Sequence, residues 1–371
     1  GKGWNTRLHH YTALGDHGYP RLYQHFADEA VAPLADYGGG SGTGALWLDE
    51  PDFPDGFGDM LYTCDWTTGN VYYHPSKRVG SSFEIGQEVF HQLPRAPDID
   101  VDGNSRLYLA DWRGGKFNFA GKGKPVGMIQ QVVPEGGTPA KYEDVTRADD
   151  ARLVELVASP SGVQRLEAQR EILERGRKPS FAQGVFAICE DHARPIEARV
   201  AALFTFKQLY GTDSTRPIAE LVGDASIREF ALRAMTDRRS ELKGVPAEPY
   251  LKALADEEPR IVLQALIGLE RLRAPGATAA ILAASKDWKE QGISPRLRHT
   301  AVAAMSSLAD VPALAKGAED AATRQLALRS LERIHQPEAV EAMLSLVGRS
   351  DDADMRFDVL GALARLYFDE K

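Results

Sequence analysis

Hydrophobic and polar residues follow two different periods along the chain, one in each half. In the first half, short stretches alternate between apolar and polar residues and are separated by glycine-rich turns, which is typical of β-strands. In the second half, apolar residues recur at intervals of three, four and seven, which places them on one face of a helix. The pattern therefore predicts a multidomain β + α protein, and we place its two domains at residues 1–146 and 147–371.

The clearest predicted strands form hairpins that recur about 50 residues apart. Residues 97–112 hold two alternating stretches on either side of Asp102-Gly103-Asn104, which is a strong hairpin turn signal. Residues 44–66 repeat this plan with a longer loop, and residues 70–74 and 82–93 are expected to supply a third and a fourth strand. This period is typical of β-propeller blades, of which about three fit into the first half. A single β-sandwich is the alternative interpretation.

The second half repeats a unit of about 30 residues. Each copy has an arginine followed by small or mostly apolar residues three, four and seven positions later, and the copies begin at Arg165, Arg199, Arg228, Arg260, Arg298, Arg324 and Arg356. Stacked two-helix units of this length form α-solenoids, and the pattern resembles HEAT repeats. An irregular helical bundle is the alternative. We expect the arginines to lie at repeat junctions and to hydrogen-bond the ends of neighbouring helices.

Composition narrows the classes of function. A net charge of −9 argues against a nucleic-acid binder that relies on neutralising phosphates. No apolar run approaches the roughly 20 residues that a membrane-spanning helix requires. Cys64 and Cys189 lie far apart and form neither a disulfide framework nor a zinc site. Because the chain begins with glycine rather than methionine, we expect an internal fragment whose upstream propeller blades are missing.

The most unusual stretch is the glycine-rich loop, residues 36–44, in which five of the seven residues from 38 to 44 are glycine. Backbone with so few side chains can closely approach a ligand or another strand, and both interpretations stay open. Tyr37 lies in this loop. Hairpin geometry predicts that residues 39–44 adjoin residues 65–69, and that residues 95–98 adjoin residues 111–115.

Two further groups of residues are candidates for chemistry. Asp98 begins an alternating run of aspartates, and it is a candidate cation ligand at the entrance of a strand. An EF-hand is excluded because its twelfth position holds Leu109 instead of an acid, and ordinary turn chemistry is the alternative for this run. His17 belongs to an early group of histidines and is a candidate general base, with a structural role as its alternative.

Three stretches together carry a resemblance to a known family. They are ALGDHGYP at 13–20, ADYGGGSG at 35–42 with Trp47 beyond it, and DIDVDG at 98–103 with Trp112 beyond it, followed by the HEAT-like repeats. They resemble the bacterial membrane-bound dehydrogenase family over nearly the whole chain. Members of that family have a propeller similar to the glucose/sorbosone dehydrogenases, then HEAT repeats, then usually a C-terminal cytochrome c module.

The resemblance implies an exported oxidoreductase, periplasmic or associated with the cell envelope, that oxidises a sugar or alcohol substrate. It implies pyrroloquinoline quinone and calcium as cofactors. His17 would then be the catalytic base, Tyr37, Arg95 and Asp111 would bind the quinone, and Asp98 would bind the metal. The early blades and the cytochrome module, the only place for haem c, are absent from this chain. We therefore expect this fragment to show no dehydrogenase turnover.

The alternative function is a scaffold without catalysis. In this interpretation the propeller binds a glycan or a protein, and the concave face of the HEAT array binds a protein partner. Both folds act as interaction platforms far more often than as catalysts. Neither hypothesis involves nucleic acid or a membrane span in this chain.

Overall fold

A computed structural model describes residues 5–18, 26, 30–112, 127–136, 141–288, 295–349 and 351–368. Strands come first and helices follow, so the predicted order of a β part and then an α part is confirmed. The strands are β1 (Asn5–Leu8), β2 (Ala35–Gly39), β3 (Gly42–Asp49), β4 (Asp59–Asp65), β5 (Asn70–His74), β6 (Ser76–Val79), β7 (Ser82–Ile85), β8 (Glu88–Gln92), β9 (Ile99–Val101), β10 (Leu107–Trp112) and β11 (Gly127–Val132).

The α-helices follow from residue 150 onward. They are α1 (Asp150–Leu156), α2 (Gly162–Arg175), α3 (Pro179–Glu190), α4 (Ile196–Tyr210), α5 (Thr215–Leu221), α6 (Arg228–Thr236), α7 (Glu248–Ala253), α8 (Pro259–Leu272), α9 (Ala277–Ser285), α10 (Pro295–Leu308), α11 (Val311–Glu319), α12 (Arg324–Leu331), α13 (Pro337–Arg349) and α14 (Ala353–Phe368). Among the described residues, no helix is long and apolar enough to cross a membrane.

The strands form four small sheets, and in the described part of the chain none of them closes into a ring. The largest has the order β3-β4-β5-β8 with antiparallel neighbours. A three-stranded antiparallel sheet has the order β11-β10-β9, and two-stranded sheets pair β1 with β2 and β6 with β7.

Both predicted hairpins are confirmed by the strand register. Leu46 pairs with Tyr62 between β3 and β4, and Asp100 pairs with Tyr108 between β9 and β10. The second hairpin turns at Asp102, whose carboxylate accepts the backbone N–H groups of Asn104 and Arg106, each at 2.9 Å. A short acidic side chain that bonds backbone donors two and four residues onward is what closes this turn.

The predicted strand at residues 82–93 divides in two, and this is a correction to the sequence analysis. Only β8 joins the four-stranded sheet, whereas β7 pairs with β6 in a separate hairpin. Gly80 has a φ of +53° at the turn between them, and the N–H of Gly86 donates to the carbonyl of Pro75 at 2.8 Å. The β6–β7 hairpin lies between β5 and β8 along the chain. It keeps the alternation of apolar and polar residues, so the sequence pattern alone did not reveal it.

The chain divides into two compact units, which we describe separately. The first contains the described residues of 1–9, 33–77 and 83–214, and therefore combines most of the strands with α1–α4. The second contains the described residues of 10–32, 78–82 and 215–371, including α5–α14. The division of the chain at residues 146 and 147 stays a prediction about its domains.

The core of the first unit lies between the strands. Alternate residues of β3, β4, β5 and β10 face inward and are buried, including Leu48, Tyr62, Val71, Leu107 and Leu109. Cys64 belongs to the same cluster, and burial raises the pKa of its thiol to about 12. The thiol therefore stays protonated and acts as a small apolar group.

A buried polar cluster joins β3 to α2 within the first unit. Glu50, just after β3, accepts hydrogen bonds from the hydroxyls of Ser105 at 2.6 Å and Ser161 at 3.0 Å. It also accepts the N–H of Val163 at 3.0 Å, in the first turn of α2. A carboxylate at this end of a helix satisfies a backbone donor that has no partner within the helix.

Several of the repeat arginines bond helix ends, as predicted. The Nε of Arg199 donates to the carbonyl of Cys189 near the end of α3, at 2.8 Å. Arg228 donates to Val222 after α5 at 2.9 Å, and Arg324 donates to Ala318 near the end of α11 at 3.2 Å. Arg298 on α10 and Arg356 on α14 depart from this expectation because both are exposed. Two residues before Arg298, Arg296 is buried instead.

Helix pairs stack on one another within the second unit. Along one row α6 packs against α8, α8 against α10, α10 against α12, and α12 against α14. Along a second row α9 packs against α11 and α11 against α13. Successive helices α11 and α12, and then α13 and α14, pack against each other and join the two rows.

Candidate functional site

Most residues of the glycine-rich loop lie in strands of the first unit, 36–39 in β2 and 42–44 in β3, so only residues 40 and 41 connect the two strands. Two aspartates hold this loop. The carboxylate of Asp36 accepts hydrogen bonds from Asn5 and Arg7 on β1 and from the N–H of Gly38, each at 3.0 Å. These bonds, the one from Asn5 foremost, lower the pKa of Asp36 to about 2. Gly38 has a φ of +77°, a conformation that favours glycine.

Asp65, at the end of β4, holds the other side of the loop. One of its oxygens accepts the N–H groups of Thr67 and Thr68, at 2.9 and 2.8 Å. The other accepts the N–H of Ser41 at 3.0 Å and the hydroxyl of Thr6 at 3.5 Å. The predicted neighbourhood of the loop and residues 65–69 is therefore confirmed. A Cβ on Gly40 would collide with this carboxylate, which explains why glycine stands there.

A cavity of about 220 Å³ lies beside this loop. Its walls come from β1 to β5 together with the loop itself. The lining residues are Thr6, Arg7, Leu8, Tyr37, Gly39, Gly42, Thr43, Gly44, Ala45, Thr63, Cys64, Asp65, Thr68, Tyr72, His74 and Gln87. All of them belong to the first unit.

His74 organises one wall of the cavity. Its Nδ1 lies 3.0 Å from the carbonyl oxygen of Gly86, which can only accept, so Nδ1 carries the proton. Its Nε2 then accepts the hydroxyl proton of Thr63, at 2.8 Å. Burial of the ring lowers the pKa of His74, opposed by the bond to Gly86. The imidazole is therefore a neutral group that orients a hydroxyl.

Tyr37 completes this chain of hydrogen bonds. Its hydroxyl donates to the carbonyl of Gly86 at 3.3 Å and lies 3.2 Å from Nδ1 of His74. The two rings are 5.5 Å apart. Burial raises the pKa of Tyr37, so its hydroxyl keeps its proton. Because the hydroxyl protons of Tyr37 and Thr63 are both committed to the protein, their oxygen lone pairs are what remains for a ligand.

A second pair of hydroxyls lies on another wall. Tyr72 accepts a hydrogen bond from the amide of Asn70 at 2.8 Å and donates its own proton to the hydroxyl of Thr68 at 3.2 Å. Tyr72 pairs with Thr63 across β5 and β4, which places the two sets of hydroxyls on adjacent strands. The cavity therefore presents several oriented oxygens together with the side chains of Arg7 and Gln87.

Of the residues predicted for the site, Tyr37 lines the cavity, Asp111 lies on β10, and Arg95 and Asp98 lie in the segment between β8 and β9. Arg95 donates to the carbonyl of Trp66 at 3.3 Å and lies over the Trp66 ring. Asp98 accepts the N–H of Ile99 at 2.9 Å. Asp111 is buried, with its carboxylate 3.5 Å from the amide of Gln130. Their roles toward a quinone stay a prediction.

The predicted adjacency of residues 95–98 and 111–115 is confirmed where the structure describes these residues. The N–H of Trp112 donates to the carbonyl of Arg95 at 2.9 Å. The indole of Trp112 also packs edge-on against that of Trp66, with ring centres 5.4 Å apart. Residues 113–115 lie outside the described part of the chain.

His17 belongs to the second unit. Its ring packs edge-on against Tyr11, with ring centres 4.4 Å apart. The adjoining segment is bonded to α10: Nε2 of His299 accepts the N–H of Asp16 at 3.0 Å, and Arg296 donates to the carbonyl of His10 at 2.5 Å. Burial lowers the pKa of His299 to about 4. The catalytic role of His17 stays a prediction.

A metal ion at Asp98 was the remaining role predicted for this region. Within the described ranges, no group of three or more His, Cys, Asp or Glu side chains is placed to hold a metal ion. The carboxylate of Asp98 is turned to its neighbour's backbone, as above. The role of Asp98 as a metal ligand stays a prediction.

The sequence analysis missed the partners of Tyr37 in this cavity. His74 and Thr63 were not chosen as site residues, and neither was Tyr72. The signal available was the hairpin register: once β4 and β5 pair, Thr63 stands opposite Tyr72 and one pleat away from His74. Residues two apart on a strand share a face, so all three were predictable neighbours.

At Gly44, the backbone of β3 lies close to the backbone at the start of β9. A substitution there tests this close approach. A Cβ on Gly44 would lie 2.7 Å from the Cα of Asp98 and 3.1 Å from the N of Ile99. Because both are backbone atoms, we expect Gly44→Ala to lower the free energy of unfolding by about 1–2 kcal/mol. Urea unfolding measures the change.

Gly42→Ala is the matched control for this substitution. Its added Cβ would meet the methyl group of Thr6 at 3.6 Å, an ordinary contact. We expect a change within about 0.5 kcal/mol for this variant. Equal losses in the two variants would contradict the backbone approach at Gly44.

Comparisons with known proteins add little to this geometry. No family model matches the chain. No curated protein matches it either. Among solved structures, an engineered protein aligns over 60% of this chain and 100% of its own, with 16% identity and a TM-score of 0.27. Human deoxyhypusine hydroxylase in complex with glycerol aligns over 59% of this chain and 96% of its own, with 14% identity and a TM-score of 0.24. At these TM-scores neither likeness carries an argument about fold or function.

Proposed function

We propose that the cavity beside the glycine-rich loop binds a small polyhydroxylated ligand, a single sugar ring or a polyol. The observation that carries this proposal is the hydrogen-bond chain of Thr63, His74 and Tyr37. It fixes two hydroxyl oxygens with their lone pairs available to a ligand. The hydroxyl groups of a sugar suit these two acceptor oxygens, because each sugar hydroxyl can donate one hydrogen bond.

The size and composition of the cavity support a ligand of this class. A volume of about 220 Å³ lies below the roughly 300–1,000 Å³ of pockets for drug-sized molecules, so one ring is the better fit. Tyr37 and Tyr72 offer aromatic surface for the C–H face of a sugar, next to their own polar tips. Buried groups that require hydrogen-bond partners discriminate strongly against ligands without them.

Binding without chemistry is the interpretation that this cavity favours. Both ring nitrogens of His74 are occupied, and the oxygens of Asp65 accept four hydrogen bonds from other groups of the protein. Neither group is placed to take a proton from a substrate hydroxyl. The scaffold hypothesis therefore fits the described site better, and the quinone-dependent oxidation implied by the resemblance stays a prediction for the longer protein.

We further propose that the small sheets are blades of a partial propeller and that the helices form a HEAT-like solenoid. The four-stranded sheet, with its antiparallel neighbours, supports the first assignment. The two rows of stacked helices and the arginines that bond helix ends support the second. A concave face of such an array is the proposed docking surface for a protein partner.

Isothermal titration calorimetry of the full chain against neutral hexoses, uronic acids and linear polyols tests the ligand proposal. We expect at least one of these classes to bind. Thr63→Val removes the oriented hydroxyl and keeps the side-chain shape, so the affinity should fall about tenfold, the value of one hydrogen bond. Tyr37→Phe should weaken binding by a similar factor.

Tyr108→Phe is the matched control for the tyrosine substitution. The hydroxyl of Tyr108 donates to Asp102 in the β9–β10 turn, and the residue is not among those that line the cavity. We expect its affinity to equal that of the unmodified chain. Absence of binding to every class at millimolar concentration, or full affinity in Thr63→Val, would overturn the proposal.

A further inference from the structure

Residues 10–17 lie against helix α10 within the second unit, and we call them the docked segment. Two buried side chains of α10 hold its backbone. Arg296, 3% exposed, donates to the carbonyl of His10 at 2.5 Å. His299, 8% exposed, accepts the N–H of Asp16 at 3.0 Å. The segment is therefore fixed near both of its ends by residues that lie about one helical turn apart.

The bond from Asp16 to His299 requires a neutral imidazole. Nε2 of His299 can accept the N–H of Asp16 only while this nitrogen carries no proton. A proton on Nε2 would face the amide hydrogen, so the bond would be lost. The charged ring would also be enclosed where water hardly reaches it, which is unfavourable for a charge. The docked arrangement therefore holds His299 in its neutral form.

His10 is the second histidine of this contact. Its Nδ1 lies 3.2 Å from the hydroxyl oxygen of Ser82, which also belongs to the second unit. Burial, followed by the neighbouring guanidinium of Arg296, lowers the pKa of His10 to about 4. Burial, followed by the charge of Arg333, lowers the pKa of His299 to about 4 as well. Both rings thus resist protonation while the segment is docked.

Most of the charged groups around the two rings are cationic. Those that act on His10 are Arg233 on α6, Arg260 on α8, Arg296 on α10 and His17 of the docked segment. Those that act on His299 are Arg333 after α12, Asp16 and His17. Glu229 pairs with Arg260 at 2.8 Å. Asp16 and a backbone hydrogen bond of Leu14 favour a proton on His299, but burial outweighs them. A proton on either ring would therefore add a positive charge beside arginines.

We propose that the docked segment is an acid-sensitive latch, held on α10 at neutral pH and released in mild acid. A histidine whose pKa is lowered by docking binds a proton more readily when the segment is open, so acid favours the open state. Docking is therefore fully stable above the ordinary histidine pKa of 6.5 and weakens as the pH falls toward about 4. The proposal does not depend on the ligand proposed above.

Hydrogen exchange of the full chain, followed by mass spectrometry at about pH 7 and about pH 5, tests the latch. The rates are corrected for the intrinsic dependence of exchange on pH. Each histidine changes the docking equilibrium by up to about tenfold per pH unit in this range. We therefore expect the protection of peptides that cover residues 10–17 to fall at least about tenfold, whereas α8 stays protected.

The double variant His10→Asn and His299→Gln removes both titrating rings. Asparagine and glutamine place an uncharged polar group near Nδ1 and Nε2, respectively, so the segment should stay protected at both pH values. Circular dichroism should show the same helix content as in the unmodified chain. His335→Gln is the matched control, because His335 is an exposed histidine of the second unit, and this variant should keep the full pH response.

Three results would each overturn the proposal. The first is equal protection of the docked segment at both pH values in the unmodified chain. The second is a loss of protection that extends equally to α8, since acid would then unfold the unit as a whole. The third is an unaltered pH response in the double variant, which would show that other groups control the docking.

Discussion

Replacing Glu50 by alanine is expected to lower the free energy of unfolding by about 2–4 kcal/mol. The residue is only 3% exposed and accepts three hydrogen bonds, from Ser105, Ser161 and the N–H of Val163. Alanine leaves these three donors without their acceptor in a place that water hardly reaches. Because the bonds connect the hairpin turn of β9–β10 and the start of α2 to β3, the loss affects strands and helices together.

Urea unfolding followed by tryptophan fluorescence measures this effect, since four of the five tryptophans lie in the strand-rich half. Glu88→Ala is the matched control because Glu88 is an exposed glutamate on β8. Its change should stay within about 0.5 kcal/mol. If the two variants unfolded at the same urea concentration, Glu50 would not hold the junction as described.

Replacing Arg324 by alanine is expected to cost about 2–3 kcal/mol of the free energy of unfolding. Its guanidinium donates to the carbonyl of Ala318 at 3.2 Å and to the carboxylate of Asp352 at 3.0 Å, and it lies 3.8 Å from that of Asp358. One side chain thus joins the end of α11 to the start of α14. Its removal leaves a helix-end carbonyl without this donor and removes the packing of a buried stem.

Circular dichroism of the helices during thermal and urea unfolding checks this second prediction. Arg298→Ala is a stringent control because Arg298 occupies the same place in the repeat pattern but is exposed on α10. We expect almost no change in that variant. If both substitutions cost the same, the loss at Arg324 would not come from its contacts at the junction, since alanine itself favours the helix.

Much of the local structure was predictable because it depends on residues close in sequence. The Asp102 turn and the alternation on both sides of it identified the β9–β10 hairpin, and spacings of three, four and seven identified the helices. The prediction that the repeat arginines hydrogen-bond helix ends was correct for Arg228 and Arg324. It failed at Arg298 and Arg356, which are exposed, because a periodic sequence identifies a helix face but does not show which turn of the helix contacts a neighbour.

The candidate site was predictable only in part. Five glycines in seven residues marked the loop, and Tyr37 was chosen because it lies there. His74 and Thr63 were missed, since their importance comes from the pairing of β4 with β5 and from the carbonyl of Gly86. The β6–β7 hairpin brings that carbonyl to His74, and the hydrophobic pattern did not reveal this hairpin.

The sequence by itself determined the order of strands and helices, the main turns and the repeats, because these follow from side-chain spacing and turn chemistry within a few residues. Only the tertiary structure decided which distant side chains meet. The buried acceptor Glu50 and the hydrogen-bonded wall around His74 each depend on contacts between separate elements. Burial and hydrogen-bond geometry are properties of the packed chain, and a linear pattern constrains them only where the pairing of elements is already known.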